Sequence, residues 1–244
     1  MKILFKSLLR LIPINLIILF FKKIFYYKLL STDSRLNLKK LLELDNFIYL
    51  LTGKYSIIYG EGIHVKKRLT GYVNFFTENI QKFGGPCIDI GCGDGEVAIK
   101  IARLKIKVTG LDISKRKIDY ARKNHINKYL DFVNSDILDF KPEGKKFKTI
   151  ILSNVLEHIQ DRIVFLKTIK KKFSAKYFLI RVPVFDRDWR VPLKKELGID
   201  YRLDSTHFIE YTEESLLSEL EMSGIKVMNL QKRWGEIWLA GKVL

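Results

Sequence analysis

Asp89, Gly91, Gly93 and Gly95 alternate through the stretch CIDIGCGDGEVAIKIA, where an apolar run gives way to a helical pattern. Glycine in ordered backbone costs roughly 0.5–1 kcal/mol, so a cluster of them marks a turn whose geometry needs them. Without a Cβ, Gly91, Gly93 and Gly95, with Cys92 between them, let the chain approach a ligand where a side chain would collide. The spacing departs from the dinucleotide pattern G-x-G-x-x-G/A: Glu96 stands where a small residue is required, and the third glycine comes one residue early. Asp89 would repel a pyrophosphate and suits a cationic ligand. Two more carboxylates close strand-like runs. Asp112 ends VTGLD, placed to accept both hydroxyls of a ribose. Asp136 follows FVNS, placed to accept from an adenine amino group, with Ile113 and Ile137 able to sandwich the ring. The three describe a nucleoside without phosphates that carries a positive charge.

These residues need strand ends to hold them, and the chain supplies a βα alternation. Strands are expected at Cys87–Ile90, Lys107–Leu111, Leu130–Asn134, Thr149–Ser153 and Tyr177–Val182. Amphipathic helical stretches fill most gaps, including Gly95–Leu104, Ser114–Asn124 and Asp161–Lys172. Such alternation predicts an α/β fold, a mostly parallel sheet with helices on both faces. After a helix at Glu213–Ser223, the runs IKVMNLQKRW and EIWLAGKVL are joined by so short a link that they must pair antiparallel. Gly84-Gly85-Pro86 is the clearest punctuation and sets the expected start of the main domain, 84–244, after a helical extension at 31–83 and an apolar segment at 1–30.

On the glycine turn, the two strand-end aspartates and the terminal strand pair, residues 84 to 244 resemble the class I S-adenosylmethionine-dependent methyltransferases. The resemblance implies a Rossmann-like seven-stranded sheet and S-adenosyl-L-methionine as cofactor. It implies that Asp89-x-Gly91-x-Gly93-x-Gly95 cradles the methionine part, that Asp112 binds the ribose, and that Asp136 with Ile137 binds the adenine.

In such enzymes the segment after the fourth strand, here ILSNVLEHIQD, lies beside the reacting end of the cofactor. Asn154 then borders the cofactor and Glu157 faces the substrate. His158 is either a general base or a cap of its loop. Some relatives hold magnesium here with Glu-x-x-Glu-His and a later histidine; Asn154 replaces the first carboxylate, so no metal is expected. His207, in DSTHFIEYT, is either buried and structural or a second catalytic candidate, and Thr212 is the expected N-cap of the helix that follows. Between the fifth strand and that helix lies a segment too long for a simple connection, with Trp189 and Tyr201 offering faces to an acceptor. Arg68, in HVKKRLTGY, is expected to reach the same mouth. The HVKKRLTGY, DRDWRVPLKKELG and DSTHFIEYT stretches look more loosely like methyltransferases of surface polysaccharide or lipid-linked sugar synthesis. The expected acceptor is a small or lipid-linked molecule, sugar-like or quinone-like, methylated on oxygen.

Bulk properties bear on partners. The 244-residue chain has a net charge of +17, which fits either an anionic partner or lysines solvating helix faces. Nucleic acid is disfavoured, because SNVLEH lacks the Asp/Asn-Pro-Pro-Tyr/Phe signature of base methylation. Its two cysteines, Cys87 and Cys92, exclude a four-thiolate zinc site and a disulfide framework, and point to a reduced, cytoplasmic domain. The charge-free run Leu11–Phe21 is about half the roughly 20 residues that span a bilayer. Lys2, Lys6 and Arg10 would line one face of a helix and Lys22, Lys23 and Lys28 close the segment. Residues 1–30 therefore lie at a membrane's inner face, pack on the protein's own body, or form a span or signal segment.

Overall fold

The computed structural model describes residues 13–29, 33–144 and 146–244. Lys2, Lys6 and Arg10, which the sequence places on one helical face, lie outside them. Two helices come first, α1 (Ile14–Leu29) and α2 (Ser34–Tyr59), then α3 (Val65–Thr70) and α4 (Tyr72–Phe83). The βα alternation follows: β1 (Cys87–Ile90), α5 (Glu96–Arg103), β2 (Val108–Asp112), α6 (Lys115–Asn124), β3 (Leu130–Asn134), β4 (Thr149–Ser153), α7 (Arg162–Phe173) and β5 (Tyr177–Pro183). A short helix α8 (Arg190–Glu196), then α9 (Glu213–Met222), β6 (Ile225–Arg233) and β7 (Glu236–Val243) complete the chain. Thr212 caps α9 as expected, its hydroxyl accepting from the Ser215 N–H at 3.2 Å while Ser215 reciprocates.

The strands form a seven-stranded sheet in the order β3-β2-β1-β4-β5-β7-β6. β1 to β5 pair in parallel, and β7 runs antiparallel between β5 and β6. Side chains alternate across each strand, so one sequence run feeds two cores. Ile88, Ile150, Leu152, Phe178 and Ile180 face a layer that includes Phe165, Ile169 and Leu216 of α7 and α9. Cys87, Ile151 and Leu179 face the opposite layer, with Val97 and Ile101 of α5 and Ile118 of α6. Helix α4 belongs to that second core: Phe76 and Ile80 are fully buried in it. The packed body thus reaches back to Tyr72, ahead of the Gly84 punctuation, because α4 covers the sheet. The strand connections diverge between β1 and β4, and open α/β sheets take their ligands in the crevice at that point, outside the strands' carboxyl ends.

Candidate active site

The glycine turn sits at that crevice, between β1 and α5. Its backbone is tied to β2: the Gly91 and Cys92 N–H groups donate to the Leu111 carbonyl at 2.7 and 3.0 Å. Asp112 braces it further, one carboxylate oxygen accepting from the Gly93 N–H at 2.9 Å and the other from the Ser114 N–H at 2.8 Å. The glycines serve different ends. At Gly93, φ is +54° and an added Cβ would meet nothing within 4 Å, so this is where backbone faces open cleft. At Gly95, φ is +81° and a Cβ would lie 2.4 Å from the Phe132 ring; the chain's own packing requires that glycine.

Two cavities flank the turn and share Gly91, Lys117 and Asn154. One, of about 380 Å³, is lined by Asp89, Gly93, Tyr72, Lys66 and Arg181. Cys92 also lines it, half-buried. Asp89 is 1% exposed, and one of its carboxylate oxygens has no hydrogen-bond partner. Burial, with the Asp112 charge adding, pushes its pKa up to about 8. A cationic group placed here would supply what that oxygen lacks. The other cavity, of about 340 Å³, is lined by Asp112, Ile113, Asp136, Ile137 and His158. Asp136 is exposed and accepts from the Leu138 N–H at 2.7 Å through one oxygen, leaving the second oxygen to a ligand. The fold thus brings Asp112, Ile113, Asp136 and Ile137 together along one cavity.

Beyond β4, Asn154 takes φ +57°, a left-handed conformation that asparagine tolerates better than most residues, and borders both cavities. A short turn, Leu156–His158, then buries Glu157 completely, both carboxylate oxygens without a partner. Burial raises that carboxyl to about 8. His158 has the more mobile chemistry. Its Nδ1 lies 2.9 Å from the Thr206 hydroxyl, whose single hydrogen is given to Asp204 at 2.7 Å. The hydroxyl must therefore accept from Nδ1–H, which leaves Nε2 of His158 with its lone pair. Burial, then His207, lowers the His158 pKa.

His207 is buried; its Nδ1 lies 2.9 Å from Glu210 and its ring packs edge-on against His158, centroids 4.5 Å apart. Glu157, His158 and His207 each bring a ligand atom to within 4.8 Å of the others, a donor set able to hold a metal ion although none was expected at this place. A carboxylate with two imidazoles suits zinc, iron or nickel better than magnesium.

A further cavity of about 370 Å³ lies between α2 and the segment after β5, lined by Asp45, Asn46, Tyr49, Arg187, Arg190, Lys194 and Leu203. Lys66 borders both this cavity and the one lined by Asp89, so the two adjoin. Arg190 and Lys194 clamp α2 through Asp45, both at 2.6 Å. The expected substrate-side residues divide. Glu157 is at the site, buried. Trp189 is 71% exposed and Arg68 is exposed, and neither lines a described cavity. Tyr201 sits behind the wall, its carbonyl accepting from Arg187 at 2.8 Å and its ring edge-on to Phe185.

Arg181 and Glu236 were not singled out by sequence reasoning. A lone arginine in YFLIRVP and a lone glutamate opening EIWLA were the available signal, since charges seldom sit in buried strands unpaired. They pair at 2.8 Å, Lys66 joins Glu236 at 2.5 Å, and the Arg181 guanidinium lies 3.8 Å from the Tyr72 ring centre.

A cleft that asks for a cation at one end and a ribose at the other, set at the carboxyl edge of this strand order, is that of a class I S-adenosylmethionine-dependent methyltransferase. A family model described as a methyltransferase domain matches residues 62–230, and the chain belongs to that family. It is 25% identical over 174 residues to the ubiquinone biosynthesis O-methyltransferase of Pelagibacter ubique, covering 60% of this chain and 67% of that protein. To the protein of the same name from Bartonella tribocorum it is 29% identical over 120 residues, 48% of this chain and 47% of the relative. The second match thus spans less than half of that relative's length. Among solved structures, magnesium protoporphyrin IX methyltransferase from Synechocystis with bound SAH shares the fold, with a TM-score of 0.58 at 16% identity over 73% of this chain and 83% of that one.

Proposed function

We propose that the enzyme O-methylates a small or lipid-linked acceptor, with a quinone-like ring hydroxyl as the first class to test and a lipid-linked sugar as the second. The observation that carries this reading is the Asp204–Thr206–His158 chain, which ends on a histidine that lines the same cavity as Asp112 and Asp136. The names of the relatives support a hydroxyl acceptor of quinone type. S-adenosylmethionine, when bound, presents a methyl on a sulfonium. That methyl would be the electrophile for an acceptor oxygen, and His158 would take the acceptor's proton. Asp89 and Asp112 fix the donor, α2 and the segment after β5 hold the acceptor, and most of the rate comes from that positioning. Contact of residues 1–30 with the inner face of a membrane belongs to the same reading; no described helix is long and apolar enough to cross one.

His158 acts as a base only when neutral, and its pKa is lowered, so kcat/KM is expected to rise with pH through a midpoint below the ordinary histidine value and then level off. His158→Gln should lower kcat about 100-fold and flatten that acid limb. An unchanged profile in the variant would remove His158 from proton transfer. Radiolabelled methyl uptake by catechol-type quinone precursors, by lipid-linked sugars and by RNA tests the acceptor class; uptake by RNA alone would overturn the proposal.

A second reading rests on the Glu157, His158 and His207 cluster. A divalent ion held by these residues would lower the pKa of a bound acceptor hydroxyl, and His158 would then be a ligand rather than a base. As proposed, the reaction needs no ion, so dialysis against EDTA is expected to leave turnover within about twofold. Activity lost on dialysis and restored by one divalent metal would establish the second reading.

A further inference from the structure

Helix α2 carries an apolar stripe that points away from the protein. Phe47, Ile48, Leu51, Tyr55 and Ile58 recur at helical spacing, and all are exposed, from 36% at Leu51 to 69% at Ile58. The face turned inward instead holds Leu42, buried, with Asp45 and Asn46 fixed to Lys194. A soluble helix would turn its apolar stripe to the core; this one turns its polar pair inward. The exposed cations on α1 and α2 are Lys22, Lys23, Arg35, Lys40 and Lys54, against exposed Asp33, Glu43 and Glu61, and helical spacing puts Lys40 and Lys54 on the side of the stripe. Helix α1 adds exposed Leu19, Phe20, Phe21 and Ile24.

We propose that this face of α2, together with α1, docks on the surface of an anionic lipid bilayer. Apolar side chains flanked by lysines match a headgroup layer, where the stripe enters the acyl boundary and the cations meet phosphates. Charge selects this occupant over others. A second copy would bring the same cations face to face, in a chain of net charge +17. The chain's own first twelve residues carry Lys2, Lys6 and Arg10 and no acid, so they too would meet like charge there.

Docking through α2 has a consequence for the acceptor, which rests on the function proposed above. The opposite side of the same helix lines the acceptor cavity through Asp45, Asn46 and Tyr49. A helix with side chains is about 10–12 Å across, so that cavity lies one helix diameter from the lipid plane. An amphiphilic acceptor can then keep its tail in the bilayer and present its polar head to the site.

The test uses the full chain and vesicles of phosphatidylglycerol with phosphatidylcholine, beside vesicles of phosphatidylcholine alone. The enzyme is expected to co-sediment with the anionic vesicles and to be released by high salt. The double substitution Leu51→Glu with Ile58→Glu should weaken that partition at least about tenfold while S-adenosylmethionine binding, followed by calorimetry, stays unchanged. If that variant fails to bind cofactor, Lys40→Glu with Lys54→Glu, which leaves the apolar stripe intact, decides by the same partition assay. Partition equal to wild type in a variant that still binds cofactor overturns the docking. So does a wild-type dimer in sedimentation equilibrium that becomes a monomer in the glutamate variant, for the stripe is then an interface between copies. Vesicle binding without methyl transfer to any quinone or lipid-linked acceptor would uphold docking and overturn the acceptor reading alone.

Discussion

Replacing Asp112 with alanine is expected to weaken S-adenosylmethionine binding by about two orders of magnitude. The carboxylate stands at the carboxyl end of β2, where both of its oxygens already accept backbone hydrogens, from Gly93 and Ser114. Each oxygen can accept a second hydrogen, and Asp112 lines the cavity it shares with Asp136. Two hydrogen bonds from ribose hydroxyls to a charged acceptor would contribute about 1.5–3 kcal/mol each, and at the lower figure the two together, about 3 kcal/mol, give about a hundredfold in Kd. The same substitution frees the Gly93 N–H, so the turn that must lie open to the ligand loses its brace as well. Isothermal calorimetry on the purified enzyme, with NAD⁺ as a control that should not bind, measures both. Affinity within fivefold of wild type would mean that Asp112 only holds the turn and that the ribose is bound elsewhere.

Glu236→Gln should cost about 3 kcal/mol of stability, or roughly 6–12 °C in Tm. Four donors converge on this buried carboxylate: Lys66, two nitrogens of Arg181, and the Trp238 indole N–H at 2.9 Å. Glutamine keeps one acceptor oxygen and turns an amide toward the others, and Arg181 remains buried with no opposing charge. Thermal unfolding by circular dichroism reads the loss, and a shift under 2 °C would show that the network carries little. The pH dependence gives an independent check. Burial alone would raise the Glu236 pKa, but Arg181, then Lys66, hold it at about 2. Its folded pKa is below its unfolded value, so the contribution is whole above about pH 4.5 and is lost as pH falls toward 2. Wild type should therefore lose stability across that window more steeply than the glutamine variant.

The network also explains a difference between the strands that sequence and structure each describe. The pairing of β6 with β7 follows from the short Trp234-Gly235 link. That β7 slots between β5 and β6, so that Glu236 meets Arg181, is set by long-range packing of the sheet. A lone charge in an apolar strand announces a partner without naming it.

Local order was legible for a physical reason. The cofactor cleft is built from consecutive strand–turn units, and the residues that matter at each lie within a few positions of a strand end. Asp89, Gly93, Asp112 and Asp136, marked from their spacing at strand ends, therefore all come to line the two cavities beside the turn. At Gly95 the residue was marked but its reason was not, since Phe132 lies on a different strand and only the folded sheet brings its ring to 2.4 Å from where a Cβ would stand.

Taken by itself, the sequence determined the strand–turn–helix order, the glycine turn and the acidic strand ends, because these depend on local periodicity and on residue chemistry at fixed offsets. Only the tertiary structure decided where those pieces meet. It joined Glu157, His158 and His207 into one cluster, closed the Arg181–Glu236–Lys66 network across the sheet edge, and left Trp189 and Arg68 outside the cavities. It also turned the apolar stripe of α2 outward. Periodicity reveals that a helix has an apolar face; which way that face points depends on contacts made far along the chain, here by Arg190 and Lys194 on Asp45.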